Sequence, residues 1–438
     1  MSFARGLAKR LTWGLADQGV SSMTNFLVGV YVARSLGVEA FGIFSLAWVT
    51  YGVVLNLSRG LGTDPLVVRF SGVAVDRWRV ATSRSGGTAI SVGLAFGVLS
   101  IGVGAAVGDT FGRAFIALGI VTPALLLQDS WRFAFFANGQ GRKAVFVDLV
   151  WAASMVPLLM LAADHGSVAG FVIAWGGAAL FAGAAGWLLS GIRPRVNQTR
   201  EWLIAHRDLG TRYLMENVSN SGAGQLRMYA VGGIVGLAGV GAIRGAELLT
   251  GPFMALLMGL NLVAVPEAAR VLRRAPHRLR RFCLLLGGVQ ALAALSWGIA
   301  LLIVLPDSAG EFLLAEVWDP ARELVLPITL ALSASGLIAG AAAGLRALGA
   351  ARRSLRVQLY SSAGYFGGGV VGALLGGALG ASWGSTIAML CSAGLWWTQL
   401  RAGLREYGTE PVLEPAVGSA VGAVDTGLAV ENKEMRAP

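Results

Sequence analysis

The stretch TNFLVGVYVARSLGVEAFGIFSLA, residues 24–47, contains the end of one long apolar run and the start of the next. A short polar break around Arg34 and Ser35 separates them. A helix needs about 20 apolar residues to cross a bilayer. The composition fits membrane spans: of 438 residues, 55% are hydrophobic and 13% are charged, whereas soluble proteins average about 25% charged. A soluble fold is therefore excluded, and the sequence predicts an all-α integral membrane protein.

Apolar runs between polar breaks predict about twelve transmembrane helices joined by short connections. Basic residues test this number, because cytoplasmic connections of membrane proteins are enriched in Lys and Arg. With the N-terminus inside, 28 of the 35 basic residues fall in cytoplasmic segments, and the outer connections hold Arg34, Arg113, Arg244 and Arg322. A multi-pass protein of the cell membrane with both termini cytoplasmic is predicted. The predicted spans are 11–34, 41–62, 85–107, 111–137, 144–163, 168–190, 211–235, 242–265, 282–305, 324–345, 357–379 and 382–402.

The chain also repeats itself internally. A shift of 199 residues aligns LADQGVSS (15–22) with LMENVSNS (214–221), and further along it pairs Gly42 with Gly241. Six spans per half give both halves the same orientation, so the repeats are predicted to be parallel and related by an axis along the membrane normal. We therefore expect two six-helix bundles around a central cavity, 1–195 and 196–403, followed by a disordered cytosolic tail, 404–438.

The segment Ala33–Gly42 reads A-R-x-L-G-x-x-x-F-G and resembles the N-terminal signature of polysaccharide biosynthesis flippases, the O-antigen and exopolysaccharide type. These proteins belong to the multidrug/oligosaccharidyl-lipid/polysaccharide (MOP) flippase superfamily. The resemblance implies a V-shaped pair of six-helix bundles that moves an undecaprenyl-pyrophosphate-linked oligosaccharide to the outer leaflet by alternating access. The second half keeps Gly236 and Gly241 but lacks the Arg-Leu pair and the Phe of the signature.

Several charged residues lie inside predicted spans, where an isolated charge costs about 2.5–3.5 kcal/mol. On the seventh span, Glu216, Asn220 and Arg227 share one helical stripe, and Asp17 heads the equivalent stripe on the first span. Both stripes are expected to face a cavity between the bundles. The remaining candidates are Arg59 on the second span, Gln128, Asp129 and Arg132 on the fourth, and Asp148 on the fifth.

These residues admit two interpretations. Arg59, Arg132 and Arg227, with Asn220, would bind the anionic headgroup, because a guanidinium grips phosphate through two parallel hydrogen bonds. Alternatively, the arginines pair with carboxylates and hold the bundle together, and Arg59 reaches the membrane surface. Asp17, Asp129 and Glu216 would carry H⁺ or Na⁺ for coupling, or would only hold the arginines in place. No metal site and no cofactor are predicted: Cys283 and Cys391 form no ligand pattern, and the three histidines are scattered.

The predicted function is that of a lipid-linked oligosaccharide flippase. An ion-coupled drug or metabolite exporter, of the same superfamily or of the major facilitator type, is the alternative; a cation exporter should have a cavity dominated by carboxylates. A membrane-embedded glycosyltransferase or polymerase would need a large outer loop, and the longest, 306–323, is short and lacks histidine. No catalytic or nucleotide-binding pattern is present, so no enzyme activity is expected. Expected partners are the lipid-linked substrate, membrane lipids, and polysaccharide polymerase or glycosyltransferases, but not nucleic acid.

Overall fold

A computed structural model describes residues 2–409. Within that range it describes all side chains except those of residues 2–12, 15, 216, 218–220, 255, 256, 258, 259, 261–263, 408 and 409. The last helix runs to Thr409, so residues 404–409 of the predicted disordered tail are helical. The rest of that tail, 410–438, lies outside the described residues.

The described chain is built from α-helices, as the apolar runs predict. Two stretches widen into π-helix, Arg59–Thr63 after α2 and Ala300–Val304 after α10. The helices are α1 (Ser2–Ser35), α2 (Val38–Ser58), α3 (Asp64–Phe70), α4 (Val75–Val107), α5 (Thr110–Ala137), α6 (Gly141–His165), α7 (Val168–Ser190), α8 (Thr199–Ala205), α9 (Arg207–Arg274), α10 (Leu279–Ile299), α11 (Asp307–Leu314), α12 (Trp318–Ala347) and α13 (Ala351–Thr409).

Two of these helices double back on themselves and count as two spans each. In α9 the reversal occurs at Gly236, whose φ of 78° and ψ of 178° favour a residue without a Cβ. In α13 it occurs at Gly376 and Gly377. Nine described stretches are long and apolar enough to cross a membrane; with α9 and α13 counted twice and α1 added, twelve spans result. The prediction of about twelve transmembrane helices is confirmed.

The spans form two six-helix bundles. The first consists of α1, α2 with α3, and α4 to α7; the second consists of α9, α10, α12 and α13. The connection 191–206 lies against α4: the Arg195 amide donates to the Ser83 carbonyl at 2.9 Å, and Arg84 contacts Gln198 and Glu201. The boundary at 195/196 stays a prediction, and the structure packs residues up to Ala205 on the first bundle.

Contacts between the bundles come in pairs related by the predicted repeat. A Cβ built on Gly42 would lie 1.9 Å from the Leu237 carbonyl oxygen, and one on Gly241 would lie 2.1 Å from the Val38 carbonyl oxygen. Positions 42 and 241, like 38 and 237, differ by 199. A Cβ on Gly52 meets Gln225, and one on Gly251 meets Phe26, again 199 residues apart. The two halves are therefore parallel repeats around an axis that passes between α2 and α9.

The two ends of the molecule differ in charge and in packing. The end that carries the α1–α2 connection is called the acidic end, because α11 and its flanks bring Asp307, Glu311, Glu316, Asp319 and Glu323 there. The opposite end, with most arginines, is called the basic end. One apolar core runs from the first bundle into the second at the acidic end, through Phe44, Ala246 and Trp318. A separate core at the basic end, around Leu279 and Trp396, belongs to the second bundle alone. The apolar core that joins the two bundles thus lies at the acidic end.

Candidate functional site

A cluster of charged side chains is buried inside the first bundle. Arg132 of α5 donates to Asp17 of α1, with 2.6 Å between Nε and Oδ2, and its Nε lies 3.4 Å from Asp148 Oδ2 on α6. Arg59 grips Asp129 with two parallel bonds, Nε to Oδ2 at 2.9 Å and Nη2 to Oδ1 at 2.6 Å. Gln128 of α5 donates to Asp148 Oδ1 at 2.7 Å. Four helices are tied together by this cluster.

The cluster holds three carboxylates, Asp17, Asp129 and Asp148, but two guanidiniums. Asp17 and Asp148 are 2% and 1% exposed, and Asp17 Oδ1 and Asp148 Oδ2 accept no hydrogen bond from any described residue. An uncompensated buried charge is strongly unfavourable, since partial pairing does not replace its lost hydration. The arrangement has one negative charge in excess and the capacity to hold a proton or a monovalent cation.

Arg59, the arginine that the second span contributes to this cluster, lies in a π-helical segment. The segment Arg59–Thr63 interrupts the α-helical register, and its first residue is Arg59. Such π segments are often found at functional sites, because they redirect side chains locally. The Arg59 guanidinium also lies 4.9 Å from the centre of the Phe133 ring, which keeps it in place beside Asp129.

The second bundle holds a different charged group. Arg227 is 4% exposed, and its Nη2 lies 3.2 Å from Glu247 Oε1 across the Gly236 reversal of α9. Its guanidinium also lies 3.4 Å from Ser385 Oγ and 4.8 Å from the Tyr365 ring centre, both on α13. Arg244 Nη1 contacts the other Glu247 oxygen at 2.7 Å. The Glu247 carboxylate thus forms ion pairs with two guanidiniums. The trio of Arg227, Glu247 and Arg244 has one positive charge in excess.

Two cavities meet at Arg244 and Glu247 of this trio. The first, about 300 Å³, lies between the bundles and is lined by α1, α2 and the second half of α9. The second, about 640 Å³, opens inside the second bundle. Both share Arg244, Glu247 and Met254. Half of the residues that line the larger cavity are polar or charged, and its hydroxyl and amide groups come from Ser221, Thr250, Ser335, Gln358, Ser361, Ser362 and Tyr365.

The sequence-predicted residues divide between these two places. Arg59, Arg132, Asp17 and Asp129 come together in the first bundle, and Arg227 lies apart from them in the second. Asp17 was expected to face the space between the bundles; this is wrong, because its carboxylate points into the first bundle at Arg132. Arg227 was expected to pair with a group on another helix or with the substrate. In the structure its partner is Glu247 of the following span. The side chains of Glu216 and Asn220 lie outside the described residues.

Sequence reasoning missed the residues that line both cavities. Arg244 was assigned to an outer connection, yet it lies within α9 and contacts Glu247. The signal was available: Arg and Glu three residues apart lie on one face of a helix, and an intramembrane ion pair of that kind is a site candidate. Tyr365 gave no such signal, because nothing in its sequence neighbourhood indicates an arginine beside its ring.

Comparisons with known proteins support the architecture. No family model and no curated protein sequence matches the chain. The inward-facing conformation of a multidrug resistance MATE family transporter of the MOP superfamily is similar over 90% of this chain and 96% of its own, with TM-score 0.69 and 14% identity. An outward-facing conformation of such a transporter matches with TM-score 0.54 and 13% identity, over 92% and 96%.

A third structure is that of a MOP superfamily transporter from Pyrococcus furiosus whose binding pocket is described as having reverse polarity. It matches with TM-score 0.54 and 13% identity, over 92% of this chain and 96% of its own. The likeness extends over almost the whole described chain and includes both bundles. The multi-pass chain therefore has the fold of MOP superfamily transporters.

Proposed function

We propose that the chain is an alternating-access transporter that moves an anionic, hydroxyl-rich lipid-linked oligosaccharide across the membrane. The observation that carries this proposal is the Arg227–Glu247–Arg244 trio, of which Arg244 and Glu247 line both cavities and Arg227 lies buried behind Glu247. Its excess positive charge suits a phosphate or pyrophosphate group, which a guanidinium binds through two parallel hydrogen bonds. Arg244, whose side chain is 30% exposed, is the group that a ligand in either cavity can reach.

The lining of the larger cavity supports an oligosaccharide as the remaining part of the substrate. Hydroxyl and amide groups alternate there with apolar side chains such as Ile328, Leu332 and Trp396. Sugars present hydroxyls at their edges and C–H groups on their faces, so a mixed lining fits them better than an apolar pocket does. The smaller cavity lies between α1 and the second half of α9, and a lipid tail could remain in the bilayer there while the headgroup enters.

The packing at the acidic end supports a state that is closed on the predicted outer side. At the acidic end, Arg34 of α1 donates to the Phe312 carbonyl at 2.7 Å and stacks on the Phe312 ring at 4.2 Å. The close approach of Gly42 and Gly241 also lies there. The better match to an inward-facing transporter than to an outward-facing one agrees with closure at this end. Transport then requires these contacts to separate.

The buried cluster of the first bundle supports coupling to an ion gradient. Its excess carboxylate would take up H⁺ or Na⁺ in one state and release it in another, with Asp17 and Asp129 as the proposed groups and Glu216 as the repeat equivalent of Asp17. Arg59 and Arg132 stay proposed as substrate groups, together with Asn220; each of the two arginines would have to exchange a carboxylate for phosphate when the bundles rearrange. Glycosyltransferases that build the substrate and a polymerase that consumes it are the proposed partners.

The test is transport in vesicles that contain purified protein and a fluorescent undecaprenyl-pyrophosphate-linked oligosaccharide. Arg244→Gln and Arg227→Gln should each lower the flipping rate at least tenfold, and Lys at either position should restore it in part, because a point charge cannot form the two-pronged contact. Arg113→Gln is the matched control, since Arg113 is exposed at the acidic end and pairs with Thr110 of its own helix. Asp17→Asn should keep basal flipping but abolish its response to an imposed ion gradient.

Full flipping by well-folded Arg244→Gln and Arg227→Gln proteins would refute the binding role. The alternative, a cation exporter, draws support from the negative excess of the first-bundle cluster and from the multidrug transporters of the same fold. Transport of a cationic dye by the wild-type protein, unaffected by Arg244→Gln but lost in Asp17→Asn, together with no lipid flipping, would establish that alternative instead.

A further inference from the structure

A third cavity lies at the basic end of the second bundle, away from both central cavities. Because α13 doubles back, its first turns lie beside residues 395–407 of the same helix, and a groove of about 470 Å³ opens between them. Three arginines from those first turns face it. The groove is lined by Arg352, Arg353, Arg356, Val357, Tyr360, Leu395 and Gln399.

The positive charge of this groove is largely unbalanced. Arg353 donates to Gln399 Oε1 at 3.2 Å and forms an ion pair with Glu406. Arg352 and Arg356 are exposed and make no ion pair with any residue between 2 and 409 whose side chain is described. They are four residues apart, so they share one helix face and repel each other. The positive end of the α13 dipole adds to the same potential. The groove therefore favours an anion that bridges the two guanidiniums.

The walls of the groove indicate which kind of anion fits. Tyr360 lies one turn beyond Arg356 on the same helix face as Arg352 and Arg356, and it is 68% exposed. Leu395 lies opposite, on the second half of α13, and is 46% exposed. Leu359, next to Tyr360, is 53% exposed. Tyr and Trp side chains are enriched at the boundary between lipid headgroups and hydrocarbon, and Tyr360 lies one turn deeper in the molecule than Arg356. Arginines at the surface with apolar side chains one turn deeper match a phospholipid, with its phosphate above and its acyl chain below.

We infer that the groove between the two halves of α13 binds the headgroup phosphate of an anionic phospholipid through Arg352 and Arg356. Basic pockets between transmembrane helices on the cytoplasmic side are suited to anionic headgroups, and the basic end is the predicted cytoplasmic side. A free phosphate or pyrophosphate has the same charge chemistry, but it would leave the apolar wall uncovered. The inference is independent of the proposed transport function, because this groove shares no lining residue with the central cavities.

The experiment uses the purified full-length protein in phosphatidylcholine nanodiscs titrated with a fluorescent phosphatidylglycerol. The variant is Arg352→Gln with Arg356→Gln. Its matched control is Arg274→Gln with Arg281→Gln, which removes the same charge from exposed arginines at the same end of the molecule outside the groove. The double variant in the groove should raise the half-saturating mole fraction of phosphatidylglycerol at least tenfold. The control should change it less than twofold, and replacement of both groove arginines by Lys should cause a smaller loss than Gln does.

Thermal unfolding of the wild-type protein provides a second measurement that needs no variant. Added phosphatidylglycerol should raise the unfolding temperature in a saturable manner, while phosphatidylcholine and inorganic pyrophosphate should not. Equal stabilisation by phosphatidylcholine would overturn the inference, and so would equal weakening in the control variant, which would indicate a diffuse charge effect. Stabilisation by pyrophosphate alone, at similar concentrations, would show that the groove binds a soluble anion instead of a lipid. That result would also refute the assignment.

Discussion

Arg59, Arg132 and Arg227 each lie beside a carboxylate from another span. Arg59 contacts Asp129, Arg132 contacts Asp17 and Asp148, and Arg227 contacts Glu247. Removal of one partner of such a pair typically costs about 3–5 kcal/mol, because the other charge stays buried without compensation. Substitutions in these groups therefore affect stability as well as transport, and for this reason the accessible Arg244 is the sharper probe of substrate binding.

His206 provides a pH-dependent contribution outside the membrane spans. It lies between α8 and α9, with its Nδ1 2.9 Å from the Trp202 carbonyl oxygen and its ring centre 4.0 Å from that of Trp202, the two rings tilted by 34°. Burial lowers the pKa of His206 from its usual 6.5, because it disfavours the charged imidazolium. The unfolded chain then binds more protons just below pH 6.5, so the stability contribution is complete above that pH and is lost as the pH falls.

We expect the unfolding temperature of the wild-type protein to fall more steeply between pH 7.5 and pH 5.5 than that of His206→Gln. Scanning thermal unfolding in detergent at four or five pH values gives the two slopes. His165→Gln is the control, because His165 is exposed at the end of α6 and should leave the wild-type slope unchanged. Equal slopes for the wild-type protein and His206→Gln would contradict the role of this buried imidazole.

The sequence identifies charged positions at the residue scale far better than it identifies their partners. Asp17, Arg59, Asp129 and Arg132 stand out because charges are rare in apolar runs. Their pairing depends on which helices are neighbours, and helical periodicity carries no information on that point. Asp17 therefore faces α5 instead of the space between the bundles.

At the scale of elements, the apolar runs predict the spans closely because the bilayer thickness sets their length. The predicted break between 235 and 242 corresponds to the reversal at Gly236, and the break between 379 and 382 lies just after the one at Gly377. The π segments were not predicted, since widening of a helical turn depends on packing and leaves the hydropathy pattern unchanged. Arg59–Thr63 lies where α2 approaches α9 at Gly60, whose Cβ would be 2.8 Å from the Leu214 nitrogen.

The contact of α2 with α9 should tolerate no side chain at two symmetric positions. A Cβ at Gly42 or Gly241 would collide with a backbone carbonyl, which cannot move without displacing a helix. Gly42→Ala and Gly241→Ala should therefore each destabilise the protein by about 1–3 kcal/mol, the usual cost of overpacking. Thermal unfolding in detergent measures the effect. Because the two positions are related by the repeat, the two losses should be similar.

Gly102→Ala in α4 is the control for these substitutions, since nothing lies within 4 Å of a Cβ built there. In an exposed helical position Ala is favoured over Gly by up to about 1 kcal/mol, so this variant should be neutral or slightly more stable. A neutral Gly42→Ala would mean that the bundles can separate at the acidic end at no cost, contrary to the tight packing described above.

At the scale of the whole molecule, the two halves and their parallel arrangement follow from the 199-residue repeat. Paired contacts such as Gly42 with Leu237 and Gly241 with Val38 agree with it residue by residue. The cavities do not follow from the repeat, because the halves differ in the side chains that line them. The buried cluster of the first bundle has a negative excess, and the Arg227–Glu247–Arg244 trio of the second has a positive one. The proposed ion coupling and the proposed anionic substrate both rest on this asymmetry.

The orientation of the molecule in the membrane remains a prediction from the distribution of basic residues. Arg270, Arg273, Arg274, Arg278, Arg280 and Arg281 surround the α9–α10 connection at the basic end, and Glu316 is exposed at the acidic end. Positive charges near short connections are retained in the cytoplasm, so we expect the basic end and both termini to lie inside. A single cysteine at Glu316 should therefore react with a membrane-impermeant maleimide in intact cells, and one at Ala275 should not.

The labelling experiment requires a background without the native thiols, Cys283→Ala with Cys391→Ala, because Cys391 is exposed on α13. Permeabilised cells supply the control: the cysteine at Ala275 should become reactive once the reagent has access to the cytoplasm, which proves that the site is present and accessible. Labelling at Ala275 but not at Glu316 in intact cells would show that the molecule has the opposite orientation in the membrane. The acidic end would then face the cytoplasm, the closed end would be the inner one, and the proposed entry of substrate from the inner leaflet would fail together with the predicted topology.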